Sequence, residues 1–214
     1  HLLNLMKKKF PILKSKNFDI YIKKNIPLGS GFGGASSNAT SIFNFLKKKY
    51  KLKISQKASL KFLSDIGKDC PLFINQRVKL LNSSGENFKE FVNKPKLEML
   101  LIYPNYKLST KKVFERITNI SNISKKKIDL NKRENLLQIC RIYGNDLLKP
   151  AIRVNSKLGK TIKLINKIEN ILFYSMTGSG SAFFLILKDK KSLLNAKKIV
   201  KRQGNTFWAK KVKT

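Results

Sequence analysis

Eight residues constrain this chain more than any others. Pro27-Leu28-Gly29-Ser30-Gly31-Phe32-Gly33-Gly34 places four glycines between an apolar alternation and a helical face. Upstream, Phe18, Ile20 and Ile22 alternate with Asp19 and Lys23, which predicts a strand over residues 18–26, ended by Pro27. Downstream, Ala35-Ser36-Ser37-Asn38 opens a helix whose apolar face is Ala39, Ile42, Phe43, Leu46 and Tyr50. Lys47, Lys48 and Lys49 fall in its last turn, where positive charge suits the carbonyl end. Glycines let a backbone turn tightly and bring its N–H groups close to a ligand. A helix start adds unpaired donors and a positive dipole end, and Ser30, Ser36 and Ser37 add hydroxyls. Together these suit a triphosphate.

Three familiar glycine loops are excluded. Gly29-x-Gly31-x-x-Gly34 has the dinucleotide spacing, but the acidic residue needed about 20 residues on is missing, since 47–57 hold no Asp or Glu. The lysine position of a Walker loop is Ala35. A protein-kinase loop is followed by a strand, whereas a helix comes next here.

The rest of the chain alternates helices and strands. A helix is expected from Ser55 to Ile66, with Ser55 as N-cap and Gly67 as its stop. Asn82–Gly85 reads as a turn and Asn93-Lys94-Pro95 as a domain boundary, giving lobes at 1–95 and 96–214. Leu97–Tyr103 reads as a strand, Thr110–Ile117 as a helix and 119–133 as a polar, mobile loop. Helices are expected near 134–148 and 151–168. Strands at Ile171–Ser175 and Ala182–Leu187 flank Met176-Thr177-Gly178-Ser179-Gly180-Ser181, and a helix at 190–202 precedes a strand at 205–212. Strands alternating with helices, plus one adjacent strand pair, indicate an α+β protein in two lobes.

Composition excludes several classes. Apolar residues make up 42% and aromatics 10%, too many for a disordered chain. The longest apolar stretch, Leu97 to Tyr103, is too short to span a bilayer, and no secretory signal opens the chain. Cys70 and Cys140 form neither a disulfide framework nor a zinc pattern and read as thiols in a reducing cytoplasm; the one histidine, His1, rules out a His-based triad. The net charge is +34, from 40 Lys and 6 Arg against 12 acids. Lys, Ile and Asn, the residues of A/T-rich codons, fill 82 of 214 positions, so the charge reads mainly as solvated surface. The competing reading is a nucleic-acid footprint, weakened by the even spread of Lys and the scarcity of Arg.

The segment 27–39 resembles the ATP loop of the GHMP small-molecule kinases. Other stretches follow in that family's order. Ile66-Gly67-Lys68-Asp69-Cys70-Pro71-Leu72-Phe73 is similar to its Gly-Ala-Asp-Val-Pro-Phe-Phe motif, with Lys68 where the family carries Ala or Ser. Tyr103-Pro104 with Leu108-Ser109-Thr110 is similar to the Pro…Ile-Ser-Thr that opens its second lobe. Met176–Ser181 is similar to its late glycine loop. Asn145-Asp146-Leu147 with Pro150-Ala151 matches the branch acting on a cytidine-diphosphate methylerythritol.

The resemblance implies a two-lobed fold, with a first lobe like domain 2 of ribosomal protein S5 and a ferredoxin-like second lobe. It implies ATP with Mg²⁺ as its companion, bound across Pro27, Leu28, Gly29, Ser30, Gly31, Phe32, Gly33, Gly34, Ala35, Ser36 and Ser37. Asp69 matches the family's catalytic Asp, which takes the hydroxyl proton; on residue type alone it would be a turn aspartate bonding its own backbone. Thr177, Gly178, Ser179 and Gly180 would support phosphates and substrate. No acidic cluster identifies a metal ligand. The implied partner is a small molecule, with no membrane and no specific nucleic acid; other GHMP kinases, such as homoserine or mevalonate kinases, are an alternative, as is a basic nucleic-acid-binding protein.

Family members also carry an earlier segment, with an Ala-Lys-Ile-Asn-Leu strand and a Gly-Tyr-His stretch, that finds no match in residues 1–26. The expectation is therefore a first lobe that keeps the ATP loop and Asp69 but lacks most of the alcohol site, so that the 214 residues alone are inactive or nearly so.

Overall fold

A computed structural model describes residues 1–81, 88–91, 95–118, 120 and 132–213. The chain forms two compact units: His1–Lys24 with Gly33–Val92, and Asn25–Phe32 with Asn93–Thr214. The expected turn at Asn82–Gly85 and most of the expected loop at 119–133 lie outside the described residues.

In the first unit, helices α1 (Leu2–Lys9), α2 (Gly34–Lys49) and α3 (Gln56–Ile66) enclose an apolar core. Thr40, Phe43 and Leu46 recur every three residues and form the buried stripe of α2. Phe43 stacks on Phe62 of α3 at 5.5 Å between ring centroids, and Met6, Leu13 and Leu63 fill the remaining space with no exposure. Ser55 caps α3, its hydroxyl accepting from the Ala58 N–H at 3.2 Å. A 3-10 turn at Cys70–Phe73 follows, then a hairpin of β1 (Val78–Leu81) and β2 (Phe88–Phe91).

Residues 18–26 are a correction to the sequence reading. They form no strand, and Ile20, Tyr21, Ile22 and Ile26 are exposed, Tyr21 by 91%. Alternation supplies a face but not a ladder. The strands among the described residues pair only as β1 with β2 and within one four-stranded sheet, which leaves this segment outside both sheets. Phe18 alone packs inward, edge-on to Tyr50.

The second unit contains β3 (Glu98–Tyr103), α4 (Thr110–Phe114), α5 (Arg133–Tyr143), α6 (Leu148–Val154), α7 (Lys157–Ile165), β4 (Ile171–Met176), β5 (Phe183–Leu187), α8 (Lys190–Lys201) and β6 (Trp208–Lys213). The four strands pair antiparallel in the order β4-β5-β3-β6, which is the ferredoxin-like arrangement. Leu100, Ile102, Phe183, Leu185 and Leu187 fill the core with Leu158 and Ile165 of α7 and Leu193, Ala196 and Val200 of α8.

Three expected helices differ in extent. The one at 110–117 tightens after Phe114, where Arg116 and Ile117 donate to carbonyls three residues back. The one at 134–148 ends at Gly144, whose φ of +56° no helix continues through. The one at 151–168 breaks at Asn155, whose side-chain oxygen accepts from the Lys157 N–H at 3.0 Å and restarts the chain as α7. No helix among the described residues is long and apolar enough to cross a membrane.

Candidate active site

The first half of the glycine loop belongs to the second unit. Gly29 and Gly31 have φ of +70° and +85°, a region costly for side-chain-bearing residues. The alternation turns Ser30 inward, where it is 3% exposed and donates its hydroxyl hydrogen to the Pro27 carbonyl at 2.7 Å. Ser30 thus braces the loop from within. Its own carbonyl accepts from the Ala182 N–H at 3.1 Å, so the loop is stitched to the chain just beyond Ser181.

That stitch brings two glycine loops together. A Cβ on Gly31 would lie 2.7 Å from the Thr177 carbonyl oxygen and 3.1 Å from that of Gly180. The late loop is a closed turn: Gly180 donates to the Thr177 carbonyl and Thr177 to that of Ala182, both at 2.9 Å. Gly178 and Gly180 both have positive φ, and a Cβ on Gly180 would meet the Met176 sulfur at 2.7 Å. Ser179 shares a 2.9 Å hydroxyl–hydroxyl bond with Thr110, and Ser181 donates to the Tyr106 carbonyl. Burial pushes the Tyr106 phenol above its ordinary value, so it stays neutral at physiological pH.

Gly33, Gly34, Ala35, Ser36 and Ser37 belong to the first unit. Gly33, at φ +69°, is the N-cap of α2, and no side chain caps the helix there. The helix starts at Gly34, two residues before Ser36. The first intrahelical bond runs from the Ser37 N–H to the Gly33 carbonyl at 2.9 Å. The opening N–H groups of a sixteen-residue helix are therefore offered without a side-chain acceptor, the arrangement that receives phosphate.

Asp69 sits at the head of the 3-10 turn in the same unit. It is exposed, and its carboxylate caps nothing in that turn, so the turn-aspartate role is not the one its side chain plays. Its backbone is well held. Cys70 and Pro71 are buried, Thr40 of α2 donates to the Cys70 carbonyl at 2.9 Å, and Asn44 donates to the Ile74 carbonyl at 3.1 Å. Phe73 lies against Gly33, where a Cβ would come within 2.7 Å of the ring. The helix with the open N-terminus and the turn carrying Asp69 are thus one packed piece. Neighbouring Lys68 is exposed. Among the described residues no group of three or more His, Cys, Asp or Glu could hold a metal ion.

Residues 1–75 match the family model described as GHMP kinases N terminal domain. The chain is 34% identical to a 4-diphosphocytidyl-2-C-methyl-D-erythritol kinase of Pelagibacter ubique (strain HTCC1062), over 208 residues that cover 95% of this chain and 71% of that protein. The chain belongs to the 4-diphosphocytidyl-2-C-methyl-D-erythritol kinase family. A second family member, from Prochlorococcus marinus (strain MIT 9312), is 31% identical across 96% of this chain and 71% of its own length. The fold agrees: a crystal structure of 4-(cytidine 5'-diphospho)-2C-methyl-D-erythritol kinase superposes with a TM-score of 0.69 at 22% identity, covering 88% of this chain and 68% of that one. As a member of a kinase family, the chain uses ATP.

Several supporting residues escaped the sequence reading. Thr40 stands outside the apolar face expected for α2, and only its buried hydroxyl marks it out. Lys107 lays its stem over Gly29, 3.1 Å from where a Cβ would stand, without any motif to announce it. Phe32 meets Trp208, the one tryptophan, at 5.8 Å between ring centroids, a contact from the far end of the chain.

Proposed function

We propose that this chain transfers the γ-phosphoryl group of ATP to the 2-hydroxyl of 4-diphosphocytidyl-2-C-methyl-D-erythritol, a step of non-mevalonate isoprenoid biosynthesis. The observation that carries the reading is the pairing of the two glycine loops, with Gly31 so close to the Thr177 and Gly180 carbonyls that it could bear no side chain. A backbone approach this close exceeds what a simple turn needs, and it suits a ligand whose oxygens are read by N–H groups. Family membership supplies the substrate class.

The glycine loop and the N-terminus of α2 hold the phosphates and spread their charge. Asp69 takes the proton of the 2-hydroxyl as that oxygen attacks the γ-phosphorus, and the bond to the β,γ-bridging oxygen breaks to release ADP. Thr177, Gly178, Ser179 and Gly180 support the phosphates and the bound alcohol. Mg²⁺, when bound, neutralises phosphate charge. The donor set fits an ion carried by phosphate oxygens and water, since the described residues offer no acidic cage. The reading carries with it two lobes divided near residue 95 and a cytoplasmic location, which two free cysteines support.

The test is phosphate transfer from ATP to a panel of alcohols. Any transfer observed should favour the cytidine-diphosphate methylerythritol, with less or none to homoserine or mevalonate. ATP should also protect the chain against heat unfolding. Transfer to homoserine or mevalonate in preference, or no protection by ATP, would overturn the reading.

A further inference from the structure

Asn145 opens a sequence motif for which the reaction above has no use. Gly144 before it has φ +56° and ψ −143°, a backbone open essentially to glycine alone, and this reversal follows the end of α5 directly. The side chain of Asn145 donates from Nδ2 to two carbonyls, that of Met176 at 2.7 Å and that of Gly178 at 2.9 Å. Its Oδ1 accepts from the Leu147 N–H at 2.9 Å, just ahead of α6. Two acceptors on one side and a donor on the other fix which end of the amide is nitrogen. Both hydrogens of one NH₂ group therefore clamp the late glycine loop at its first turn, while the oxygen anchors the clamp to the start of a helix.

The clamp matters because of what the loop touches. Gly31 rests against Thr177, between the two clamped carbonyls, with no room for a methyl group. A loop released by a fraction of an ångström would press on the ATP loop or leave a gap beneath it. We infer that Asn145 is a positioning residue for nucleotide binding: its amide holds the carbonyls of Met176 and Gly178 so that Thr177 supports the ATP loop at Gly31. The inference rests on the reading of these loops as an ATP site.

Asn145→Asp is the sharpest test, because it keeps shape and exchanges a double donor for a carboxylate facing two carbonyl oxygens. Lowering the pH protonates that carboxylate and restores one donated bond. Asn145→Ala removes both bonds at every pH. ATP affinity is read from the fluorescence of Trp208, which packs on Phe32 of the ATP loop, and circular dichroism checks that each variant is folded. At pH 8 both variants should bind ATP about tenfold more weakly than wild type, the scale of one lost hydrogen bond. By about pH 5.5 the Asp variant should recover to within about threefold of wild type at the same pH, and the Ala variant should not. Wild-type affinity in either variant at pH 8 overturns the clamp. So does an equal loss in both that ignores pH, or failure of both to fold, since Asn145 would then be a packing residue. If wild type itself binds no ATP, the kinase reading falls and the clamp with it. If wild type binds and the variants do not differ from it, only the clamp falls.

Discussion

The hydroxyl of Thr40 donates to the backbone carbonyl of Cys70 across 2.9 Å, inside a core where Thr40 has no exposure at all and Cys70 only 2%. One residue lies on the helix that begins at the glycine loop, and the other follows Asp69. The bond ties the turn carrying Asp69 to α2 and fixes the height at which it sits. Thr40→Val keeps the volume and removes the donor. It should cost about 0.5–1.5 kcal/mol of stability, the net worth of one hydrogen bond. It should also lower turnover more than it raises KM for ATP. Denaturant unfolding and steady-state kinetics check both, and an unchanged turnover would separate the bond from catalysis.

Asp69→Asn should leave ATP binding nearly intact while turnover falls by about 10²-fold or more, the scale of a lost general base. The side chain is exposed and caps nothing in its turn, so the exchange should barely move the unfolding midpoint. Normal turnover in the folded variant would return Asp69 to a merely local role.

Gly31→Ala should abolish nucleotide binding, because its methyl group would stand 2.7 Å from the Thr177 carbonyl oxygen at a φ of +85°. Gly33→Val should do the same by pressing on Phe73 at φ +69°. Gly159→Ala on α7, with open space around the added carbon and no part in the loops, is the control and should fold and bind normally. The readout is ATP protection against heat unfolding; protection of the Gly31 variant would show that the loop yields.

Much of the fold was legible because its signals are local. The stripe on α2, the Ser55 cap and the strands beside the late glycine loop each follow from residues a few positions apart. The failure at 18–26 has the opposite cause: alternation is local, but a strand exists only through a partner, and none of the described residues supplies one. Helix α1 was missed because eight residues with no N-cap side chain carry little signal; packing of Met6 holds it in place. In the candidate site, the glycines and Asp69 stood out as motifs. Their supports, Thr40, Lys107 and Asn145, act through partners 30 to 78 positions away, and no spacing rule reaches that far.

Asp189 tests an acid-dependent part of stability. Its carboxylate caps α8, accepting from the Ser192 N–H and hydroxyl, both at 2.8 Å. Those bonds, the backbone one foremost, hold its pKa below the ordinary carboxylate value. A carboxylate with a lowered folded-state pKa stabilises the fold above its unfolded pKa, and that help fades as pH falls through the folded value. Asp189→Ala should therefore lower Tm at pH 7, and the gap should close from about pH 5 downward. Asp189→Asn, which keeps an acceptor, should melt closer to wild type at pH 7. A gap that persists unchanged at low pH would mean that the charge is not what caps the helix.

The net charge of +34 is spread along the whole chain. Lysines crowd the last turns of helices, Lys7–Lys9 on α1, Lys47–Lys49 on α2, and Lys198 and Lys201 on α8. There they complement the carbonyl end of the dipole, and all but the half-buried Lys7 and Lys47 are exposed, Lys47 donating to the Ser59 hydroxyl at 3.2 Å. Six arginines in 214 residues leave little capacity for bidentate contacts to guanine or phosphate. RNA binding should accordingly be electrostatic and indifferent to sequence. Its log affinity should fall steeply and linearly with log salt and be lost near about 0.15 M, as counterion release requires. A homopolymer and a structured RNA should give the same curve. ATP protection, which depends on the close contact of Gly31 with Thr177, should survive the same salt. Tight binding to one RNA at 0.15 M, with its rivals excluded, would mean that the basic surface is a built recognition site.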